Sequence, residues 1–99
     1  MHGRAAHAGL DPENGASAIL ELSSVIQRLF ALNDRERDIT VNVGTIEGGI
    51  QANVIAPRSQ AVVDVRVLDG HDAQYIDGAI LAIEPITEGT SITVSGGFG

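Results

Sequence analysis

Apolar side chains recur at helical spacing early in the chain. Between Ala16 and Leu32 they stand at positions 19, 22, 26, 29 and 30, while Glu21, Ser24 and Arg28 fall on the other side. Apolar residues three and four positions apart line up on one face of a helix. The segment therefore predicts an amphipathic helix.

Two later segments alternate between apolar and polar residues, as half-buried strands do. In Ile39–Glu47 the apolar positions are 39, 41 and 43, and in Ala61–Leu68 they are 63, 65 and 67. Successive side chains of a strand point to opposite faces of the sheet. Asp64 and Arg66 are therefore expected to share the face that points away from the core.

Glycine and proline separate these segments. Gly48-Gly49 predicts a turn, a short stretch follows at Gln51–Ile55, and Pro57 breaks it. Near the start, Gly3–Gly9 consists of small residues and leads into a cluster of turn formers, which fits a strand whose beginning has been trimmed.

The last third of the chain predicts one more helix and one more strand. Asp69 or Gly70 can start a helix with apolar residues at positions 73, 76, 80 and 83, and Pro85 stops it. Thr90–Ser95 then alternates through positions 92 and 94, which predicts a final strand.

The element order is strand, helix, strand, strand, helix, strand. This order is typical of the ferredoxin-like βαββαβ sandwich, an α+β fold with a four-stranded antiparallel sheet and two helices on one face. Residues 1–99 are expected to form one such domain. Ile39–Glu47 contains neither lysine nor proline, so this edge is expected to accept a strand from a second copy, giving a homodimer.

Composition excludes several classes of function. A net charge of −7 and only one Tyr and two Phe argue against nucleic acid as a partner. No apolar run approaches the ~20 residues of a membrane span, so no membrane partner and a soluble, cytoplasmic protein are expected, although no residue marks a compartment. The chain has no cysteine, which excludes a disulfide framework.

Three motifs, in this order and spacing, resemble a known family. They are Gly3–Gly9 with His7-Ala8-Gly9 at its end, Gly48-Gly49 leading to Asn53-Val54-Ile55, and Asp64-Val65-Arg66. Together they are similar to the dimerisation, or lid, domain of dizinc metallopeptidases of the aminoacylase and glutamate carboxypeptidase family. The resemblance extends from Gly3 to Ser95-Gly96-Gly97. One departure is Ala56-Pro57, where the proline stands one place later than the usual pattern.

The resemblance implies that His7 acts in the active site of the neighbouring subunit, as a donor to the oxyanion that forms on the scissile amide. It also implies that Asn53 and Arg66 bind the substrate carboxylate. Without the resemblance, His7 is an ordinary, partly exposed histidine near a turn and Asn53 is a turn residue. Arg66 is then one half of an exposed ion pair, either with Asp64 or with an acid on the neighbouring strand. An exposed pair of that kind contributes ~0 to 1 kcal/mol.

The chain lacks a metal site of its own. A dizinc centre needs several His, Asp and Glu ligands, and the only histidines are His2, His7 and His71. His71 is interpreted as a solvated residue at the start of the second helix. The resemblance therefore implies that two zinc ions lie in a catalytic domain from which this lid was excised, and that the lid alone is inactive.

The parent protein would then be an amidohydrolase or carboxypeptidase acting on a small carboxylate-bearing substrate, a peptide or an N-acyl amino acid. The alternative is a stand-alone ferredoxin-like regulatory module that binds a small ligand between paired sheets. Metal-ligand motifs on both sides of the domain would favour the lid. A native start at Met1 and a stop after Gly99 would favour the module.

Overall fold

A computed structural model describes residues 1–96 as an α+β domain. After a short 3-10 turn at Pro12–Asn14, its elements are α1 (Ala18–Phe30), β1 (Thr40–Gly48), β2 (Ser59–Arg66) and α2 (Gly70–Leu81). Both predicted helices and both central strands are confirmed, with ends shifted by a few residues. Gly97, Phe98 and Gly99, where the sequence resemblance ends, lie outside the described residues.

Helix α1 begins at a capping serine and buries one face against the sheet. The side-chain oxygen of Ser17 accepts a hydrogen bond from the backbone N–H of Leu20 at 3.0 Å, which satisfies one of the free donors of the first turn. Leu22, Val25 and Leu29 are buried. Ile19 and Phe30, which also belong to the predicted apolar face, are 46% and 42% exposed.

Strands β1 and β2 form an antiparallel ladder that runs from the pair Thr40 and Arg66 to the pair Gly48 and Ser59, with an irregularity next to Val43. Val41 is buried below this sheet together with the residue that precedes β1. The side chains of the core cluster are Val25, Leu29, Ile39, Val41 and Ile76. Asp64 and Arg66 are exposed on the opposite face, as predicted.

The glycine turn after β1 has the expected backbone. Gly49 has a φ of 85°, a left-handed conformation that glycine adopts without steric cost. A Cβ atom on either Gly48 or Gly49 would lie 3.2 Å from the side chain of Ile19, so α1 also approaches closely here. The short stretch that follows, Gln51–Ile55, contains a turn and a single bridge at Val54.

The predicted first and fourth strands are present only as isolated bridges. The backbone N–H and C=O groups of Met1 both pair with Ser59, and those of His2 both pair with Ser91 at 2.9 Å. Met1 and His2 therefore lie between the start of β2 and Ser91. Met1 and His2 occupy the expected position of the first strand, and Ser91 that of the fourth. Because the pairing does not extend into ladders, the four-stranded ferredoxin-like sheet is not confirmed. The segment Gly3–Gly9 does not continue along β2, since Arg4 pairs with Ala16 instead.

Beyond Met1 the core opens into a cavity of about 1050 Å³. Its walls come from β2, the end of α2 and residues 92–96, and its apolar lining includes Val63, Val65, Ile80 and Ile92. Within residues 1–96, no helix is long and apolar enough to cross a membrane.

Candidate functional site

His7 lies in a loop that is tied to the turn after β1 by backbone hydrogen bonds. The N–H of Ala8 donates to the C=O of Asn53 at 3.0 Å, and the N–H of Ile55 donates to the C=O of Ala6 at 2.9 Å. His7 itself forms a bridge with Val54. Two of the three predicted site residues, His7 and Asn53, are thus neighbours, although they are 46 positions apart in the sequence.

The imidazole of His7 has one nitrogen fixed and the other available. Its Nδ1 accepts hydrogen bonds from the backbone N–H groups of Gly9 and Leu10, both at 3.1 Å. A neutral imidazole that accepts at Nδ1 carries its proton on Nε2. The ring therefore offers an Nε2–H donor from an exposed position, and within residues 1–96 that group has no acceptor.

Asn53 is exposed in the same turn, and its side chain makes no hydrogen bond within the described part of the chain. Its backbone carbonyl accepts from Ala8, so the residue also fits the simpler interpretation as part of a turn. The geometry leaves the carboxamide accessible beside His7.

Arg66 lies far from the other two predicted site residues within one chain. It ends β2, seven residues after Ser59, and a strand of seven residues spans ~23 Å. Its side chain is 80% exposed and its Nε donates to Oδ2 of Asp64 at 3.1 Å. The exposed ion pair considered from the sequence is therefore formed, and the terminal nitrogens of the guanidinium remain in solvent.

The described residues contain no group of three or more His, Cys, Asp or Glu side chains that could hold a metal ion. His2 is exposed in the first bridge and His71 is exposed in the first turn of α2. Asp69 caps that helix by accepting from the N–H of Asp72 at 2.9 Å. His71 therefore lies where the sequence indicated.

Two structural features were not recognised from the sequence. Glu21, on the polar side of α1, is fully buried, because residues 84–87 cover it. Asn33, just after α1, places its carboxamide against the backbone of Val41. An asparagine at the end of a helix is a common capping signal, but its pairing with a strand eight residues later has no local pattern.

Comparison with known proteins finds matches over most of the chain. A family model described as the peptidase dimerisation domain matches residues 1–83. A Bacillus subtilis protein called YqjE is 36% identical over 68 residues, covering 69% of this chain and 18% of its own length. A probable carboxypeptidase of Aspergillus fumigatus is 31% identical over 100 residues, covering 89% of this chain and 22% of its own length.

A solved structure also matches most of this chain. The aminobenzoyl-glutamate utilization protein from Klebsiella pneumoniae superimposes with a TM-score of 0.75 and 30% sequence identity, over 81% of this chain and 21% of that one. The chain thus spans about a fifth of the length of the relatives that it matches.

Proposed function

This chain belongs to the family of peptidase dimerisation domains, and from that membership we propose that it pairs two copies of a larger zinc-dependent hydrolase. The parent would be an amidohydrolase or carboxypeptidase that acts on a peptide or an N-acyl amino acid. The names of the relatives support this proposal, as does the fact that the match covers only 22% and 21% of their length. The metals would belong to the catalytic domain, and the 99 residues alone would be inactive.

The observation that carries the proposal is the outer edge of β1. Among the described residues, β1 pairs only with β2, and its sequence has no lysine or proline to discourage pairing. Ile46 is 59% exposed in β1, and Ile19 of α1, 46% exposed, lies beside the glycine turn that ends the strand. A second copy that adds its own β1 would extend the sheet and cover this apolar patch.

The test is the oligomeric state of the chain and of two lysine variants. Ile46→Lys places like charges near the two-fold axis, so its dimer dissociation constant in sedimentation equilibrium should rise at least tenfold. Val62→Lys is the matched control, since Val62 is 62% exposed on the neighbouring strand. Equal dissociation constants for the two variants would contradict an interface at this edge.

We propose that His7 acts in trans on the neighbouring active site. The support is its Nε2–H donor, which Gly9 and Leu10 fix in that tautomer by donating to Nδ1, on a side chain that is exposed. A preorganised donor of this type stabilises a developing oxyanion, and its removal costs about 10²- to 10³-fold in kcat.

Mixed dimers of the full-length parent test this role. His7→Ala copies and copies with an emptied metal site should each be inactive, and mixing them should restore activity through one complete composite site. Mixtures that stay as inactive as their components would overturn action in trans.

The carboxylate-binding role of Asn53 and Arg66 also depends on the dimer. In one chain the two residues lie at opposite ends of β2. A two-fold axis beside an antiparallel β1 pair reverses the second copy, which brings its Arg66 to the end of the sheet that holds His7 and Asn53 of the first. We therefore assign Asn53 and Arg66 of one binding site to different copies, with Arg66 binding the carboxylate through its guanidinium fork.

We also propose that the four-stranded sheet is completed in the longer protein. The pairing of Met1 with Ser59 directs any preceding residues antiparallel to β2 and into the cavity. An extended segment there would separate β2 from residues 92–96 as the first strand of the ferredoxin-like sandwich.

A further inference from the structure

The first half of the outer edge of β1 is already occupied by the connection from α1. The N–H of Ile39 donates to the C=O of Asp34 at 2.9 Å, and the N–H of Asp34 donates to the C=O of Ile39 at 3.0 Å. At Val41 the N–H donates to Oδ1 of Asn33 at 2.8 Å, and the C=O accepts from Nδ2 of Asn33 at 3.0 Å. Two successive outward positions are therefore closed.

The second half of this edge is open. In an antiparallel ladder, residues alternate between pairs that exchange hydrogen bonds and pairs that point theirs outward. Ser59 uses its N–H and C=O on Met1, so the opposite residue, Gly48, must direct its own groups to the outer edge. By alternation Ile46 does the same, and Val43 is the first open position after Val41.

The carboxamide of Asn33 is suited to closing an edge. It presents a donor and an acceptor side by side, as a peptide group does, and it meets both backbone groups of Val41. Its Nδ2 also donates to the C=O of Phe30 at 3.0 Å, which fixes the side chain to the end of α1. A strand arriving at Val41 would have to displace this side chain and leave its polar atoms unpaired.

We infer that Asn33 sets the register of the dimer by confining strand addition to Val43–Gly48. This inference rests on the proposed pairing of two β1 edges. In an antiparallel pair of strands related by a two-fold axis, the numbers of any two opposite residues add up to the same sum. The open part of the edge, Val43–Gly48, therefore fixes the position of the axis along the strand. The axis passes close to Ile46, the central outward residue of the open half.

Single cysteine variants locate the axis, since the chain has no cysteine of its own. With the axis at Ile46, Thr45 and its counterpart are offset by two residues, ~7 Å along the strands, and Asn42 and its counterpart by eight, ~26 Å. A short bis-maleimide should crosslink Thr45→Cys at least tenfold faster than Asn42→Cys. The inference predicts that adding Asn33→Ala raises the Asn42→Cys rate several-fold, because Val41 becomes available for pairing.

Asn14→Ala is the matched control, because it removes a side-chain hydrogen bond to Asp11 at 2.8 Å that is remote from the edge. It should leave both crosslinking rates unchanged. If Asn33→Ala also leaves both rates unchanged in a chain that still dimerises, the inference is overturned and the dimer stands. A chain that sediments as a monomer at every concentration overturns the dimer and this inference with it.

Hydrogen exchange on the unmodified chain provides a test that does not depend on how Asn33→Ala folds. The amide of Val41 should be protected equally in dilute and concentrated protein, because Asn33 accepts its hydrogen bond within the chain. The amides of Ile46 and Gly48 should become protected only as the dimer forms. Protection of Val41 that rises with concentration in step with Gly48 would overturn the inference.

Discussion

At the scale of single residues, Glu21 is a buried carboxylate that joins α1 to the segment after α2. Its Oε1 accepts from the backbone N–H groups of Ile86 at 3.0 Å and Thr87 at 2.8 Å, and its Oε2 pairs with Arg28 at 3.0 Å. Burial by itself raises the pKa of Glu21, but the hydrogen bonds from Thr87 and Ile86 and the charge of Arg28 outweigh it. The pKa therefore lies below its usual range.

The lowered pKa makes part of the stability dependent on pH. Because the folded chain binds the Glu21 proton more weakly than the unfolded chain, this contribution is fully present above the unfolded value of about 4.3. It is lost as the pH falls through the folded pKa. Thermal unfolding between pH 7 and pH 3 should show a fall in Tm that is smaller in Glu21→Gln.

Glu21→Gln should also lower stability at pH 7 by about 1 to 3 kcal/mol, since a buried hydrogen-bonded charge is replaced. Glu47→Gln is the control, because Glu47 is exposed and hydrogen bonded only to Gln60 in the described part of the chain. If the two variants have the same dependence of Tm on pH, Glu21 does not carry the effect.

The sequence names His7, Asn53 and Arg66 as candidates, and their roles stay predictions, but it says little about the surroundings of any residue. His7 was selected by its neighbours in a motif, and the structure adds the Nδ1 hydrogen bonds that fix its tautomer. Asn53 is a candidate on the same grounds. The burial of Glu21 was not predictable, because its partners Ile86 and Thr87 are 65 and 66 positions away and carry no local pattern.

At the scale of elements, periodicity predicted the structure well where one face of an element is buried. Helix α1 and strands β1 and β2 lie within two residues of the expected bounds. Thr90–Ser95 alternates equally well but forms only one bridge within residues 1–96, at Ser91. Alternation of apolar and polar residues reflects only which side chains are buried. A strand also needs a neighbouring strand of matching length, and here the partner is a single residue, His2.

Replacing Gly3 and replacing Gly78 by alanine should have opposite effects on the stability of the fold. A Cβ on Gly3 would lie 2.0 Å from the carbonyl oxygen of Ala16, so Gly3→Ala must displace the backbone pairing of Arg4 with Ala16. A Cβ on Gly78 in α2 meets nothing within 4 Å. Urea unfolding should show Gly78→Ala to be more stable by about 0.5 to 1 kcal/mol, and Gly3→Ala to be less stable than the unmodified chain. A stable Gly3→Ala protein would mean that this contact relaxes easily.

At the scale of the whole molecule, the core is open on one side. The cavity beside β2 exposes apolar side chains such as Val63 and Ile80 next to polar ones, and the half of β2 beyond Ser59 has no second neighbour among residues 1–96. Open apolar space and unpaired strand edges both lower stability and invite association. An isolated domain should therefore be less stable than the same residues in the parent.

If the chain is part of the longer protein proposed above, adding the residues that precede Met1 there tests this expectation. A chain extended by the ten preceding residues should have a higher Tm and bind less of the dye ANS, because an added strand fills the cavity and pairs with β2. An extension of the same length made of glycine and serine is the control, since it lacks apolar side chains. Equal Tm values for the two extended chains would contradict completion of the sheet.

His7 and Arg66 lie near opposite ends of β2, and this separation has a consequence for how such an enzyme responds to dilution. If the two residues of one binding site come from different copies, a lone subunit contains no complete binding site. Specific activity should then fall as the enzyme is diluted below its dimer dissociation constant, however tightly the metals and substrate are bound.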